Sequence, residues 1–418
     1  MSAIPDVTTP SLYLDDIPFD RFADMRSEQG LVWHSYDTET GSPGGDGGFW
    51  AVTRHADVAH VGRNADIFSS AVGHTNLWDL EADALVARRS IIDSDAPDHT
   101  RLRRVVSTAF TPKFIREWES ITRTLAGNLL DDFVEQGGGD WVKAVAAPLP
   151  IQVIMAILGV PAEDGDLMVE LSNYMVEGTT DQQSLPDDAF GNTTPTRLLP
   201  FGSPASHAMY EYGEKLGRLR RSEPLEDVVT RLVFAEADGV KLTENEFKNF
   251  FHVLVFAGNE TTRTALTHGA IALADYPAEW RKLKANDDVI KSATEEILRW
   301  STPVLHMRRT ATRDAEVAGT TIAQGDKVVM WYASSNRDEA VWDRPDTFDV
   351  TRSPNPHQAF GGGGPHFCLG AFLARMEISV VLEEMLARNI TLERTSEPTR
   401  VASNFVRGVL DVDLATVR

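Results

Sequence analysis

Hydrophobic positions recur mostly at helical spacing, with short alternating runs towards either end of the chain. Phe49-Trp-Ala-Val-Thr53 follows a Gly/Pro-rich loop from Asp37 to Gly48 and reads as a short strand. Ala56 to Phe68 reads as a helix, and helical spacing then dominates from residue 100 to residue 300. Thr179 to Pro204 interrupts it, with Gly, Pro, Ser, Thr and Asp and little periodicity; it reads as part of a lid or as a surface insertion. Thr243-Glu-Asn-Glu246 is a capping box, in which hydroxyl and carboxylate satisfy free backbone donors. The helix it opens runs to Tyr276, on the order of 50 Å at ~1.5 Å per residue. Its middle, Val253-Leu-Val-Phe-Ala-Gly258, is apolar all round and so crosses the interior. Asp287 to Trp300 is a further helix, with Ile290, Ala293, Ile297 and Leu298 on one face and Ser301-Thr-Pro303 ending it. Arg308 to Tyr332 alternates as strands do, with turns at Ala318-Gly319 and Gln324-Gly-Asp326. After a weakly periodic segment comes Phe360-Gly-Gly-Gly-Gly-Pro-His-Phe-Cys-Leu-Gly370, and then helical spacing through Ala374, Ile378 and Leu382. The expected fold is mainly α with small β-sheets: one domain over 1–418, strands near 30–55, 305–335 and the C-terminus, and a helical core over 56–300 and 370–388.

Composition narrows the function classes. The chain has 418 residues, 42% hydrophobic and 24% charged, as a globular protein has. The net charge of -22 disfavours a nucleic-acid partner, which asks for a basic face. One cysteine, Cys368, excludes an internal disulfide and any multi-cysteine metal centre, and fits a reducing, cytoplasmic setting. Met1 to Asp16 has no basic-then-apolar signal pattern. Ala144 to Ala162 is the most apolar stretch, but its Gln152 and prolines 148, 150 and 161 suit a buried helix rather than a membrane anchor.

Three local patterns carry candidate chemistry. Cys368 follows four glycines and a proline and precedes a helix. Glycine lets backbone approach a flat ligand, and a helix N-terminus favours a thiolate. By spacing alone Cys368 is a small buried hydrophobe, a metal ligand, or a nucleophile with His366 as base. A phosphate cradle fails, because no Lys-Ser/Thr follows the glycines. In Ala257-Gly-Asn-Glu-Thr-Thr262, Thr261 can bond back to the Ala257 carbonyl and bend the helix. The resulting groove, edged by a hydroxyl and a carboxylate, suits proton delivery; a helix crossing that needs small residues fits equally. Glu296 and Arg299 share a helix face, as do His99 and Arg103.

Taken in order, His99-x-x-x-Arg103, Ala257-Gly-x-Glu-Thr-Thr262, Glu296-x-x-Arg299 and the glycine-rich cysteine loop resemble the cytochrome P450 family of haem-thiolate monooxygenases over nearly the whole chain. Asn259-Glu-Thr-Thr-Arg263, Met307-Arg-Arg-Thr310 and Asn355-Pro-His357 resemble the bacterial subgroup acting on steroid side chains and methyl-branched lipids. So does the loop, which carries one glycine more than the common family form.

The resemblance implies haem b with Cys368 as the iron's proximal ligand. It implies that Glu260 and Thr261 supply protons on the distal side. His99, Arg103, Arg309 and His366 would pair with the haem propionates, and Ala257, Gly258, Phe360, Gly361 and Gly370 would lie against the haem. Glu296, Arg299 and Arg352 would be structural. The implied reaction is C–H hydroxylation using dioxygen, two protons and two electrons from separate partners, a ferredoxin and its reductase, in a monomer without a membrane anchor. Arg101, Arg104, Lys113, Arg116 and Arg375 would form the docking patch. Val72, Trp78, Val253, Phe256, Ala257, Val304, Leu305 and Phe405 would line the pocket for a hydrophobic small molecule: a sterol, terpenoid or branched lipid. A peroxygenase, an isomerase or a haem sensor remain as alternatives, none of which needs the acid–threonine pair.

Overall fold

The central helix organises the molecule. In the computed structural model, which describes residues 6–28, 30–35, 47–178, 184–237 and 239–417, it spans Glu244–Asp275 and starts at the expected capping box, with Thr243 and Glu246 bonded reciprocally. Val255, Phe256, Ala265, Leu266, Ala270 and Leu273 enter the main core together with Ile151, Ile154, Ile157 and Leu158. The latter four lie on Pro148–Leu158, the buried helix expected behind Pro-Leu-Pro. Ile290–Ser301 and Ala371–Ala387 pack into the same core through Ala293, Ile297, Ile378 and Val381.

The β-structure is small and peripheral. A five-stranded sheet runs in the order Leu31–His34, Phe49–Val52, Lys327–Trp331, His306–Ala311, Phe68–Ser69. Only the Phe49–Val52/Lys327–Trp331 pair is parallel. Ala318 and Gly319 turn the chain between Ala315–Val317 and Thr320–Ile322 with positive φ angles of 51° and 77°, where the sequence signals a turn. A three-stranded sheet joins Thr391–Arg394 and Asp413–Val417 to Gly138–Asp140.

Two elements differ from expectation. The helix expected over Ala56 to Phe68 is His55–Arg63. Asn64 ends it by turning both its backbone N–H and its side-chain amide back onto the His60 carbonyl, and Phe68 is then drawn into the sheet opposite Ala311. Between Thr179 and Pro204 the described part forms three single 3-10 turns, Ala189–Gly191, Thr196–Leu198 and Pro200–Gly202. Residues 179–183 of the expected lid and 37–46 of the expected loop lie outside the described residues.

Candidate active site

The cysteine loop is built on backbone contact. Gly361, Gly363 and Gly364 hold φ angles of 99°, 95° and 79°, a region that L side chains rarely adopt. A Cβ on Gly362 would come within 2.6 Å of the Val58 carbonyl, and one on Gly364 would strike that of Gly62. The glycine run therefore lets the loop lie directly on His55–Arg63. The loop closes where the Cys368 N–H donates to the Phe360 carbonyl at 3.0 Å, just before Ala371–Ala387 begins.

Cys368 has free space before its side chain, yet burial pushes its thiol up. Both hold if that space is enclosed by protein rather than open to bulk water. The N–H groups of Gly370 and Ala371, with Arg103 and Arg375, act in the opposite sense and favour the thiolate. A soft sulfur ligand thus stands accessible at the end of the loop, with groups beside it that favour its thiolate form.

A set of cationic and imidazole donors surrounds the same loop. The His99 and His366 rings lie 4.0 Å apart. His366 Nε2 meets Ser70 Oγ at 3.1 Å, and Arg103 donates to the Phe367 carbonyl at 2.7 Å. Arg309 is buried and donates to the Arg308 carbonyl at 2.7 Å. Burial lowers the pKa of all four groups. Among the described residues, none of the four forms an ion pair with a carboxylate. A buried guanidinium without a paired carboxylate, with a half-buried arginine and two neutral imidazole donors beside it, suits a ligand that brings carboxylates of its own, as haem propionates would.

The central helix carries the second candidate pattern. Between Asn249 and Ala270 every residue is buried except Val253, Leu254, Ala257, Gly258, Thr261 and Arg263. At about 100° per residue the first five fall within roughly 140° of one another, so an interior helix carries a single accessible stripe of small and apolar groups ending in a hydroxyl. Thr261 Oγ1 donates to the Ala257 carbonyl at 2.8 Å, the back-bond read from the sequence. Glu260 sits beside the stripe. Its Oε1 accepts from Thr264 at 3.4 Å, and Oε2 lies 3.6 Å from Arg263, short of a hydrogen bond. Burial pushes its carboxyl up, and Arg263 opposes that. Glu260 therefore turns towards Arg263 and Gly408, not towards the Thr261 hydroxyl.

The buried carboxylate Glu296 receives both Arg299 donors at 2.7 and 2.8 Å, Arg352 at 3.1 Å, Asn355 at 3.0 Å and the Asp349 N–H at 2.9 Å. Glu296 and Arg299 are 0% exposed. The three residues read as structural thus tie the segment before the cysteine loop to Ile290–Ser301.

The expected pocket residues separate. Val253 and Ala257 lie on the stripe, and Phe256 stacks under Phe201 of the lid segment at 3.8 Å. Val304 is half-buried and bridges to Val406, with half-buried Phe405 alongside. Val72 is exposed, and Trp78 packs partly against the second core cluster. Leu305 is 0% exposed inside that cluster, with Phe22 and Trp331, and so turns away from any pocket. In the expected docking patch, Arg101 is paired with Glu246 and Arg375 with Glu295, while Lys113 is exposed. Sequence reasoning placed Phe201 in the lid lining the pocket without its partner Phe256, and missed Glu295 and the role of His357.

Comparison with known proteins accounts for this arrangement. The Cytochrome P450 family model matches residues 48–406. The chain is 38% identical over 409 residues to a steroid C26-monooxygenase of Mycolicibacterium smegmatis, covering 97% of this chain and 92% of that one. It is 39% identical over 399 residues to a methyl-branched lipid omega-hydroxylase of Mycobacterium tuberculosis, covering 94% and 90%. A Mycobacterium marinum cytochrome P450 solved with pseudoionone superposes with a TM-score of 0.87 at 34% identity, over 99% of this chain and 100% of that one. No helix among the described residues is long and apolar enough to cross a membrane. The cysteine loop with its basic and imidazole donors, and the accessible stripe of the central helix, stand in a chain that belongs to the cytochrome P450 family of haem monooxygenases.

Proposed function

We propose that this P450 hydroxylates an unactivated C–H bond towards the end of a steroid side chain or a methyl-branched lipid, with electrons from a separate ferredoxin and its reductase. The observation that carries this reading is the stripe of the central helix, an apolar approach along Val253 and Ala257 that ends at the Thr261 hydroxyl. The mycobacterial steroid and branched-lipid enzymes, similar over nearly the full chain, support the substrate class.

Haem b bound through Cys368 supplies the oxygen-activating chemistry. The chain's own residues do the rest. Phe201, stacked on Phe256 next to the stripe residue Ala257, would be the lid-segment side chain nearest this approach. Val304 and Phe405 bound it from the C-terminal side. Thr261 holds a hydroxyl at the end of the approach. Glu260, whose affinity for a proton burial raises, stands one residue away and can carry a proton by turning from Arg263. Arg103 and Arg309 would offset the propionate charge, and His99 and His366 would hydrogen-bond to it as neutral rings. Lys113, Arg104 and Arg116, all exposed, are the cations assigned to meet an acidic electron donor on an otherwise acidic protein.

The test is a panel of steroids, methyl-branched fatty acids, linear fatty acids and terpenes, titrated against the ferric holoprotein and read as the low-to-high-spin shift of the haem spectrum. Steroids or branched lipids should give the largest shifts at the lowest concentrations. A panel in which only terpenes or linear chains shift the spectrum rejects the assigned class.

A further inference from the structure

Behind the cysteine loop lies a charge cluster outside both the propionate set and the Glu296 network. Glu295 receives Arg375 through two bonds, Nε to Oε1 at 2.6 Å and Nη2 to Oε2 at 2.8 Å, and His357 Nε2 at 3.0 Å. The Ala359 N–H donates to His357 Nδ1 at 3.3 Å, which leaves the ring proton on Nε2, facing Glu295. His357 is buried, and burial lowers its pKa, so it donates as a neutral ring. Three donors and the guanidinium charge hold the Glu295 carboxyl at about 2.

The other end of the cluster reaches the sulfur. The Arg375 guanidinium lies over the Phe360 ring, 4.5 Å from its centre, and Phe360 supplies the carbonyl that accepts the Cys368 N–H. Arg375 also donates to the carbonyl of Ala371 at 3.4 Å, the residue whose N–H points at the sulfur. Arg375 is thus a cation within electrostatic reach of the thiolate, fixed in place and neutralised by one carboxylate. Glu295 and Glu296 are neighbours with separate tasks: Glu296 ties down the preceding segment, and Glu295 holds the charge behind the sulfur.

We propose that Glu295 and Arg375 form a charge clamp that sets the field at the Cys368 sulfur and, through it, the reduction potential of the haem iron. Both are positioning residues. The reasoning is one of sign: reducing the iron adds negative charge at the site, so a net positive group behind the sulfur favours the reduced state and a net negative one opposes it.

Removing either member therefore moves the potential in opposite directions. The measurement is a spectroelectrochemical titration of purified holoprotein without any redox partner, so that docking plays no part. Glu295→Gln leaves Arg375 uncompensated and should shift the midpoint positive. Arg375→Leu leaves Glu295 uncompensated and should shift it negative. Arg375→Lys keeps the charge and should stay close to wild type. Thermal melts and the ferrous carbon-monoxide band, read in parallel, report fold and thiolate ligation. Shifts of the same sign in the first two variants, or no shift in either, would overturn the clamp. Should Arg375→Leu fail to hold haem, Glu295→Gln decides alone, and an unmoved midpoint there rejects the proposal.

Discussion

Replacing Glu296 by Gln keeps the volume of the side chain and removes one charge at the crossing of five donors. Arg299 is left fully buried without an anion, and Arg352 loses its only carboxylate partner among the described residues. The Gln amide also points an N–H group at donors where Glu296 presents an oxygen. Breaking a buried ion pair by removing one partner costs about 3–5 kcal/mol. For a chain of this length, an unfolding entropy of about 2.1 cal/mol/K per residue converts that cost to a fall of about 3–6 °C in melting temperature. The fall should be visible by differential scanning calorimetry of the holoprotein. Arg352→Ala should cost less, because its remaining bonds run to the carbonyls of Asp343, Arg344 and Thr347 near the surface. A Glu296→Gln protein melting within about 1 °C of wild type, or below by less than Arg352→Ala, would refute the assignment of Glu296 as the centre of this network.

Thr261→Ala should keep the haem spectrum and divert reducing equivalents to hydrogen peroxide, measured as peroxide formed per NADH consumed with surrogate redox partners; full coupling would remove the hydroxyl from proton delivery. Arg309→Leu removes a buried charged donor, worth about 1.5–3 kcal/mol, and should speed haem transfer to apomyoglobin by roughly 10–100-fold; an unchanged rate would take Arg309 out of the propionate set. Glu260 has a folded pKa raised by burial, so its contribution to stability is present below the unfolded value of 4.5 and is lost as pH rises through the folded one. Glu260→Gln should therefore gain on wild type in melting temperature between pH 5 and pH 8; a difference that stays flat with pH would contradict the raised pKa. Joint charge reversal at Arg104 and Lys113 should slow electron transfer from a ferredoxin, read by stopped-flow reduction; an unaltered rate would place the docking face elsewhere.

What the sequence reveals here is what is local. The capping box at Thr243 and Glu246, the Thr261 back-bond and the helix after Cys368 are each set within four residues of one another, and each stands where its spacing places it. What it conceals depends on partners far along the chain. Glu295 meets Arg375 across 80 positions and His357 across 62, and nothing in the run Glu295-Glu296 says which carboxylate turns which way. Arg375 reads as a free cation of a docking patch until its partner is found. Leu305 reads as a pocket residue because its neighbour Val304 does, but successive residues of an extended chain point to opposite sides, and Leu305 takes the core side. Phe201 falls in a segment without periodicity, so its stacking on Phe256 has no sequence signal at all.

The four-glycine run shows how one local departure is absorbed. A longer loop before Cys368 would be expected to loosen the ligand it carries. Here the glycines lie against His55–Arg63, where backbone meets backbone at Gly62 and Val58 and no side chain would fit. The two ends are tied together: the Cys368 N–H closes on the Phe360 carbonyl, and Arg375 lies on the Phe360 ring. The position of the sulfur is therefore tied by contacts at the ends of the loop rather than by the glycines between them. It follows that deleting one glycine should disturb the packing on His55–Arg63 before it disturbs the thiolate, so stability should fall while the ferrous carbon-monoxide band keeps its thiolate position.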